Sequence, residues 1–166
     1  MHLGLIAHRR FNEYGVFRAA SVSHIHCQQL SLIRDEFDVA RVTISYVERA
    51  WPQLPDDLDL DGIALRQIQR ASRNLEDTYV IRAFAEFEGI IRDYLPAPAG
   101  RQDNRSSYTL INRVALRCRI PDPIRDDAQA VREYRNSLTH GGRVGARTIT
   151  FQDVIAALNK YLARLP

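Results

Sequence analysis

Cysteine is scarce in this sequence, with two residues, Cys27 and Cys118, among 166. Two cysteines exclude a framework of several disulfides and a zinc site made of four thiolates. The sequence also lacks an apolar run of the roughly 20 residues that a membrane-spanning helix needs. The apolar stretch at residues 3–7 is too short for a signal-peptide core. We therefore expect a cytoplasmic protein that has no membrane partner.

Lysine is nearly absent. Of the 23 basic residues, 22 are arginine and one, Lys160, is lysine. Residues 1–95 contain 11 basic and 14 acidic side chains, whereas residues 96–166 contain 12 basic and 6 acidic ones. The planar fork of arginine suits phosphate. The excess of arginine in the C-terminal part favours an anionic partner there, with a solvated basic surface as the alternative.

Two short motifs resemble metal sites, and both are incomplete. Residues 57–62 begin like a calcium-binding EF-hand loop, but Ile68 stands where that loop needs a bidentate glutamate. His24 and His26 are two positions apart on a predicted helix, so their side chains point away from each other. No second cluster completes a metal shell. We therefore expect no metal and no cofactor.

The spacing of apolar residues predicts an all-α fold of about five helices. A first long helix has apolar residues three or four positions apart and ends at Pro52. This seam contains Leu30, Ile33, Phe37, Ala40, Ile44, Val47 and Trp51. A second long helix, from about residue 61 to 95, has an inward face with Ile68, Leu75, Phe84, Phe87 and Ile91.

We expect these two helices to form an antiparallel hairpin, followed by three shorter helices. The first two shorter helices cover residues 108–118 and about 125–140, and prolines separate them. The last begins with a capping box made of Thr150 and Asp153. Residues 1–20 are expected to be an N-terminal extension and residues 21–166 a helical domain.

Two charged residues fall on apolar helix faces. Arg135 shares a stripe with Val131 and Leu138, and Glu88 lies on the inward face of the second long helix. Because an unpaired buried charge is costly, Glu88 and Arg135 can be read as an ion pair that fixes the register of two helices. His140 ends the same helix as Arg135, where the helix dipole favours a protonated imidazole. An arginine can hold a phosphate group and a histidine can move a proton, so the two residues together are suited to phosphodiester chemistry.

The segment that contains both residues resembles the signature of the HEPN superfamily. In that signature, four to six residues separate an arginine from a histidine, and the first of them is usually polar. Here the segment reads Arg135-Asn136-Ser137-Leu138-Thr139-His140. Residues 83–91 are also similar to the second helix of that family. The resemblance implies an all-α bundle that commonly dimerises.

The resemblance also implies a function, because many HEPN members are metal-independent endoribonucleases and several are toxins or antiviral effectors. By this resemblance, Arg135 and His140 are catalytic, Asn136 is the polar neighbour and Glu88 has a supporting role. The ribose 2′-hydroxyl would attack the adjacent phosphate and leave a 2′,3′-cyclic phosphate and a 5′-hydroxyl. The expected partners are RNA and a second copy of the chain, with an antitoxin protein as a further candidate. The alternative is a noncatalytic HEPN-like module that binds RNA or a protein.

A basic face is expected on the helix at residues 108–118. Arg113 and Arg117 are four positions apart and therefore share one helix face, with Arg101 and Arg105 just upstream. We expect Arg113 and Arg117 to bind RNA phosphates, with a solvated basic face as the alternative. We also expect a homodimer whose two-fold axis passes beside the Arg135 helix and brings both motifs to one phosphate.

Overall fold

The computed structural model describes residues 17–53, 62–97, 104–140 and 149–166, with side chains from residue 28 onward. Within these ranges the chain forms α-helices and one short 3-10 turn, and no strand. The helices are α1 (Phe17–Ala50), α2 (Leu65–Tyr94), α3 (Ser107–Cys118), α4 (Asp122–His140) and α5 (Phe151–Leu162). The predicted all-α bundle of about five helices is confirmed.

The first two helices form the predicted antiparallel hairpin. Glu36 on α1 pairs with Arg82 on α2, and a carboxylate oxygen of Glu48 accepts a hydrogen bond of 3.4 Å from the Ser72 hydroxyl. As the position on α1 rises from 36 to 48, the position of its partner on α2 falls from 82 to 72. The two helices therefore run in opposite directions.

Two helix starts differ from the sequence prediction. For α1 the sequence predicted no start; the helix begins at Phe17 and includes the position between residues 20 and 21 where a domain boundary was expected. α2 begins at Leu65, after Gly62 adopts a φ of 72° that favours glycine. α4 begins at Asp122 rather than near residue 125, because Pro123 occupies its first turn. Proline is tolerated there, since the first amides of a helix have no intrahelical acceptor.

Helix α2 is central, because every other α-helix packs against it. Its side chains Phe84 and Phe87 are completely buried, with ring centroids 5.8 Å apart. The ring of Tyr161 on α5 meets Phe87 edge to face at 5.3 Å, and its hydroxyl donates to the Ile111 carbonyl on α3 at 2.6 Å. This cluster joins α2, α3 and α5 in a single core.

The N-terminus of α5 is held from two sides. The Thr150 hydroxyl accepts a hydrogen bond from the Asp153 amide at 3.2 Å, which confirms Thr150 as the N-cap of α5. The Asp153 carboxylate accepts from the Thr150 hydroxyl at 2.7 Å, whereas a capping box would have it accept from the Thr150 amide. Glu76 of α2 accepts the Phe151 amide at 2.6 Å. The Phe151 ring also packs on Phe37 of α1, with centroids 4.4 Å apart. The start of α5 is therefore fixed against both long helices.

The apolar seam of α1 is buried only in part. Leu30, Ile33 and Phe37 belong to the core. The later seam residues, from Ala40 to Trp51, are only half-buried. The sequence prediction was therefore correct about which face turns inward and overstated how far along α1 the burial extends.

We expect Tyr161→Phe to lower the free energy of unfolding by about 1 kcal/mol, because the buried Ile111 carbonyl loses a donor. Burial raises the pKa of the Tyr161 hydroxyl. The folded chain thus keeps this proton at pH values where the unfolded chain loses it, and stability falls as the pH rises above about 10. Urea unfolding at neutral and alkaline pH measures both effects, and the alkaline loss should be smaller in Tyr161→Phe.

The matched control for this prediction is Tyr46→Phe, because Tyr46 is exposed and makes no hydrogen bond to a described residue. The control should change the free energy of unfolding by less than about 0.5 kcal/mol. An equal effect of both substitutions would contradict the role assigned to the Tyr161 hydroxyl.

Candidate functional site

Helix α4 turns Arg135 toward the core. Ala128 and Val131 are buried on its inward face, and Tyr134 and Leu138 pack against the same core. Arg135 lies on this face, one turn after Val131, and is half-buried. The position predicted for Arg135 on the apolar stripe of α4 is therefore confirmed.

The guanidinium of Arg135 is held by an aromatic ring and an amide. Its central carbon lies 5.7 Å from the centre of the Phe84 ring, and Nη1 donates to Asn136 Oδ1 at 3.1 Å. Its Nε is buried and makes no hydrogen bond with the described residues. The Nη2 group likewise makes no hydrogen bond within the described part of the chain. A guanidinium has five N–H donors, so donors remain for an anionic ligand.

The expected ion pair between Glu88 and Arg135 is wrong. Glu88 Oε1 instead lies 2.5 Å from Nη2 of Arg92, one turn further along α2. No ion pair connects Glu88 with Arg135 among the described residues. The reason is geometric, because an arginine four positions away on the same helix reaches the carboxylate without crossing between helices. Glu88 therefore does not neutralise the charge of Arg135.

Arg92 also fixes the chain that leads to α3. Its Nη2 donates to the Arg105 carbonyl at 3.0 Å, and the Arg105 guanidinium donates to the Leu95 carbonyl. Glu88, Arg92 and Arg105 thus connect the end of α2 with the approach to α3. Sequence reasoning missed this connection, since the only available signal was the four-residue spacing of Glu88 and Arg92.

His140 is the last residue of α4 and is exposed. It follows Asn136 by four positions and therefore shares a helix face with it. Arg135 is five positions away, which on a helix means a difference of about 140° in direction and a rise of about 7.5 Å. No hydrogen bond joins Arg135 to His140 among the described residues. Asn136 lies between them, since it bonds Arg135 and occupies the face of His140.

Two side-chain hydroxyl groups form hydrogen bonds with the backbone in the last turns of α4. Thr139 Oγ1 donates to the carbonyls of Arg135 and Asn136, at 3.3 Å and 3.1 Å. The Ser137 hydroxyl donates to the Tyr134 carbonyl at 2.7 Å. These bonds hold the backbone that carries Arg135, Asn136 and His140. Residues 141–148 lie outside the described residues.

Arg113 and Arg117 are both exposed on α3. The guanidinium of Arg117 lies 5.7 Å from the centre of the Tyr94 ring, which places it at the junction of α2 and α3. Arg105, in contrast, is half-buried and bonds the Leu95 carbonyl, so it does not belong to this basic face. Arg101 lies outside the described residues. The basic face of α3 is thus formed by Arg113 and Arg117.

The described residues contain no cluster of three histidine, cysteine, aspartate or glutamate side chains placed to hold a metal ion. Residues 57–61 and the side chains of His24 and His26 lie outside the described residues. Within the described ranges, no helix combines the length and the apolar character needed to cross a membrane.

We expect Glu88→Gln and Arg92→Ala to be coupled, and Glu88→Gln and Arg135→Ala to be additive. The Glu88 and Arg92 side chains are 19% and 31% exposed, so solvent screening limits their coupling energy to about 0.5–1 kcal/mol. Two double-mutant cycles measured by urea unfolding compare the pairs. Coupling between Glu88 and Arg135 that exceeds the coupling between Glu88 and Arg92 would contradict this assignment.

No protein-family model, no curated protein and no solved structure matches this chain. The resemblance to the HEPN superfamily rests on the segment from Arg135 to His140 and on the segment around Glu88. The function is accordingly proposed from the chemistry of these side chains and their surroundings.

Proposed function

We propose that the protein is a metal-independent endoribonuclease of the HEPN type, with Arg135 and His140 as its catalytic residues. The main support for this proposal is the half-buried guanidinium of Arg135, which lies on Phe84 and has no carboxylate partner among the described residues. Because its positive charge is not neutralised there, this guanidinium can bind a phosphate group. His140, five positions further along α4, supplies an imidazole, a side chain that can accept or donate a proton.

Arg135 is suited to stabilise the charge of a phosphate under attack. A guanidinium can form two parallel hydrogen bonds with phosphate oxygens, and such bonds are stronger when both groups are charged. Partial burial against Phe84 strengthens the attraction further, because screening by water is weaker there. Asn136 holds Nη1 at 3.1 Å, so the fork is oriented before the ligand arrives.

His140 is suited to move the protons of the reaction. The ribose 2′-hydroxyl loses a proton as its oxygen bonds to phosphorus, and the 5′-oxygen gains a proton as its bond to phosphorus breaks. The products are a 2′,3′-cyclic phosphate and a 5′-hydroxyl, and their balance requires no metal or other co-reactant. The exposure of His140 at the end of α4 allows RNA to approach it.

In this proposal Asn136 orients Arg135, and Glu88 does not touch the phosphate. Glu88 pairs with Arg92 and fixes the end of α2. Because Glu88 does not pair with Arg135, the guanidinium of Arg135 remains available to bind the phosphate. The supporting role that the HEPN resemblance implies for Glu88 is therefore to position α2, without transferring a proton.

A noncatalytic module that binds RNA or a protein partner is the second candidate. It is favoured by the absence of a hydrogen bond between Arg135 and His140 in the described residues. In this alternative, the stacking of Arg135 on Phe84 serves to fix α4 on α2. RNA binding without cleavage by the purified protein would distinguish it from the endoribonuclease.

We expect purified protein to cleave RNA in excess EDTA and to leave 2′,3′-cyclic phosphate ends. His140→Ala should lower the rate by at least about 100-fold, because a positioned general acid or base contributes that much. Arg135→Lys should cause a similar loss, since it keeps a positive charge but removes the planar fork. Product ends are identified by mass spectrometry and rates by gel assays on a labelled RNA.

The matched control for the arginine is Arg125→Ala, at the other end of α4, where Arg125 pairs with Asp122 and Asp126. This variant should cleave at the rate of the unmodified chain, and circular dichroism should show that every variant is folded. Products with 3′-hydroxyl ends, or a strict need for a divalent cation, would refute the mechanism.

We expect Arg113→Gln combined with Arg117→Gln to weaken RNA binding and to flatten its salt dependence. Each lost phosphate contact should lower the slope of log affinity against log salt by about 1. The matched control is Arg70→Gln combined with Arg73→Gln, which removes the same charge from exposed positions of α2. Equal slopes for both double variants would show that the basic face of α3 does not contact RNA.

A further inference from the structure

Tyr108 lies on the surface of α3, with an arginine of α4 over its ring. The guanidinium carbon of Arg132 is 5.4 Å from the centre of the Tyr108 ring, which is a cation–π contact. Tyr108 is nevertheless 55% exposed. The ring therefore keeps an open surface on which a second planar group can stack.

A short network between α3 and α4 holds the Tyr108 ring in place. Arg132 Nε donates to Gln129 Oε1 at 2.7 Å, and Gln129 Nε2 donates to the Tyr108 carbonyl at 3.2 Å. The Arg132 guanidinium also pairs with Glu133 at 3.1 Å, and the Arg132 side chain is 18% exposed. Because Arg132 is fixed by two neighbours, the ring beneath it is ordered before any ligand arrives. Such preorganisation lowers the entropy cost of binding.

The surface of α3 around Tyr108 is basic. α3 contains no aspartate or glutamate, whereas each of the other four α-helices contains at least one. At 3.6 residues per turn, Tyr108, Arg113 and Arg117 lie within about half of the circumference of α3, and all three are exposed. An aromatic ring beside exposed arginines suits a ligand that combines planar groups with negative charge. A nucleic acid strand with unstacked bases is such a ligand.

Tyr108 is also close to the candidate site. Arg132, which covers its ring, lies four positions before Asn136 and eight before His140, so these three residues share one face of α4. The rise along the helix from Arg132 to His140 is about 12 Å. A strand that follows this face from Tyr108 passes Asn136, which bonds Arg135, and then reaches His140.

We propose that Tyr108 forms a base subsite of the RNA site, in which a base close to the phosphate held by Arg135 stacks on the tyrosine ring. This inference rests on the proposed function, because it adds a binding residue to the same site. Stacking uses the π-face that every base has, so the subsite accepts any base and does not read sequence. A base inside a duplex is already stacked and paired, so it does not enter the subsite.

Binding to strands with and without bases tests the subsite. The first probe is a short oligouridine in which fluorine replaces every 2′-hydroxyl, so that the proposed reaction cannot cleave it. The second probe is an abasic strand of the same length, which offers phosphates alone. Tyr108→Ala should weaken binding of the oligouridine by about 10-fold or more and leave binding of the abasic strand unchanged. Tyr108→Phe keeps the ring and should bind both strands like the unmodified chain.

The matched control is Tyr46→Ala, because Tyr46 is 66% exposed on α1 and lies on a different helix. This variant should bind both strands like the unmodified chain, and circular dichroism should show that every variant is folded. An equal loss of both strands in Tyr108→Ala, or a loss in Tyr108→Phe as large as that in Tyr108→Ala, overturns stacking. An unmodified chain that does not bind oligouridine also overturns it, and the exposed ring then fits a protein partner better.

Cleavage of ordinary RNA separates this inference from the proposed function. Stacking contributes equally before and during the reaction, so Tyr108→Ala should raise KM and leave kcat unchanged. A chain that cleaves RNA with the same KM after Tyr108→Ala contradicts the base subsite and leaves the proposed function intact. A chain that meets every binding expectation but cleaves no RNA contradicts the proposed function and supports the base subsite.

Discussion

The burial of Phe84 and Phe87 on α2 is the constraint on which the rest of the structure depends. Both rings are completely buried, and every other α-helix packs against the helix that carries them. Phe87 meets Tyr161 of α5, and Phe84 lies under Arg135 of α4. The core that holds the bundle together therefore also sets the position of the candidate site. Loss of the Phe84 ring would remove both core volume and the surface on which Arg135 rests.

Arg135 shows how this core accommodates a charge. Its Nε is buried without a partner among the described residues, which disfavours the folded state. The Phe84 ring and the Asn136 amide compensate in part through a cation–π contact and a hydrogen bond. A carboxylate would stabilise the guanidinium more strongly, but it would also neutralise the charge that a phosphate needs. Because Glu88 pairs with Arg92, the charge of Arg135 is preserved.

The sequence predicted the helices well because apolar spacing, prolines and caps are local signals. The inward face of α4, with Arg135 on it, and the Thr150 cap were predicted for this reason. The Glu88–Arg135 pair was wrong because two partners competed for one carboxylate. The choice depended on how α4 is rotated against α2, which no local pattern reveals. The contact between Tyr108 and Arg132 was likewise unpredictable, since it depends on how α3 packs against α4.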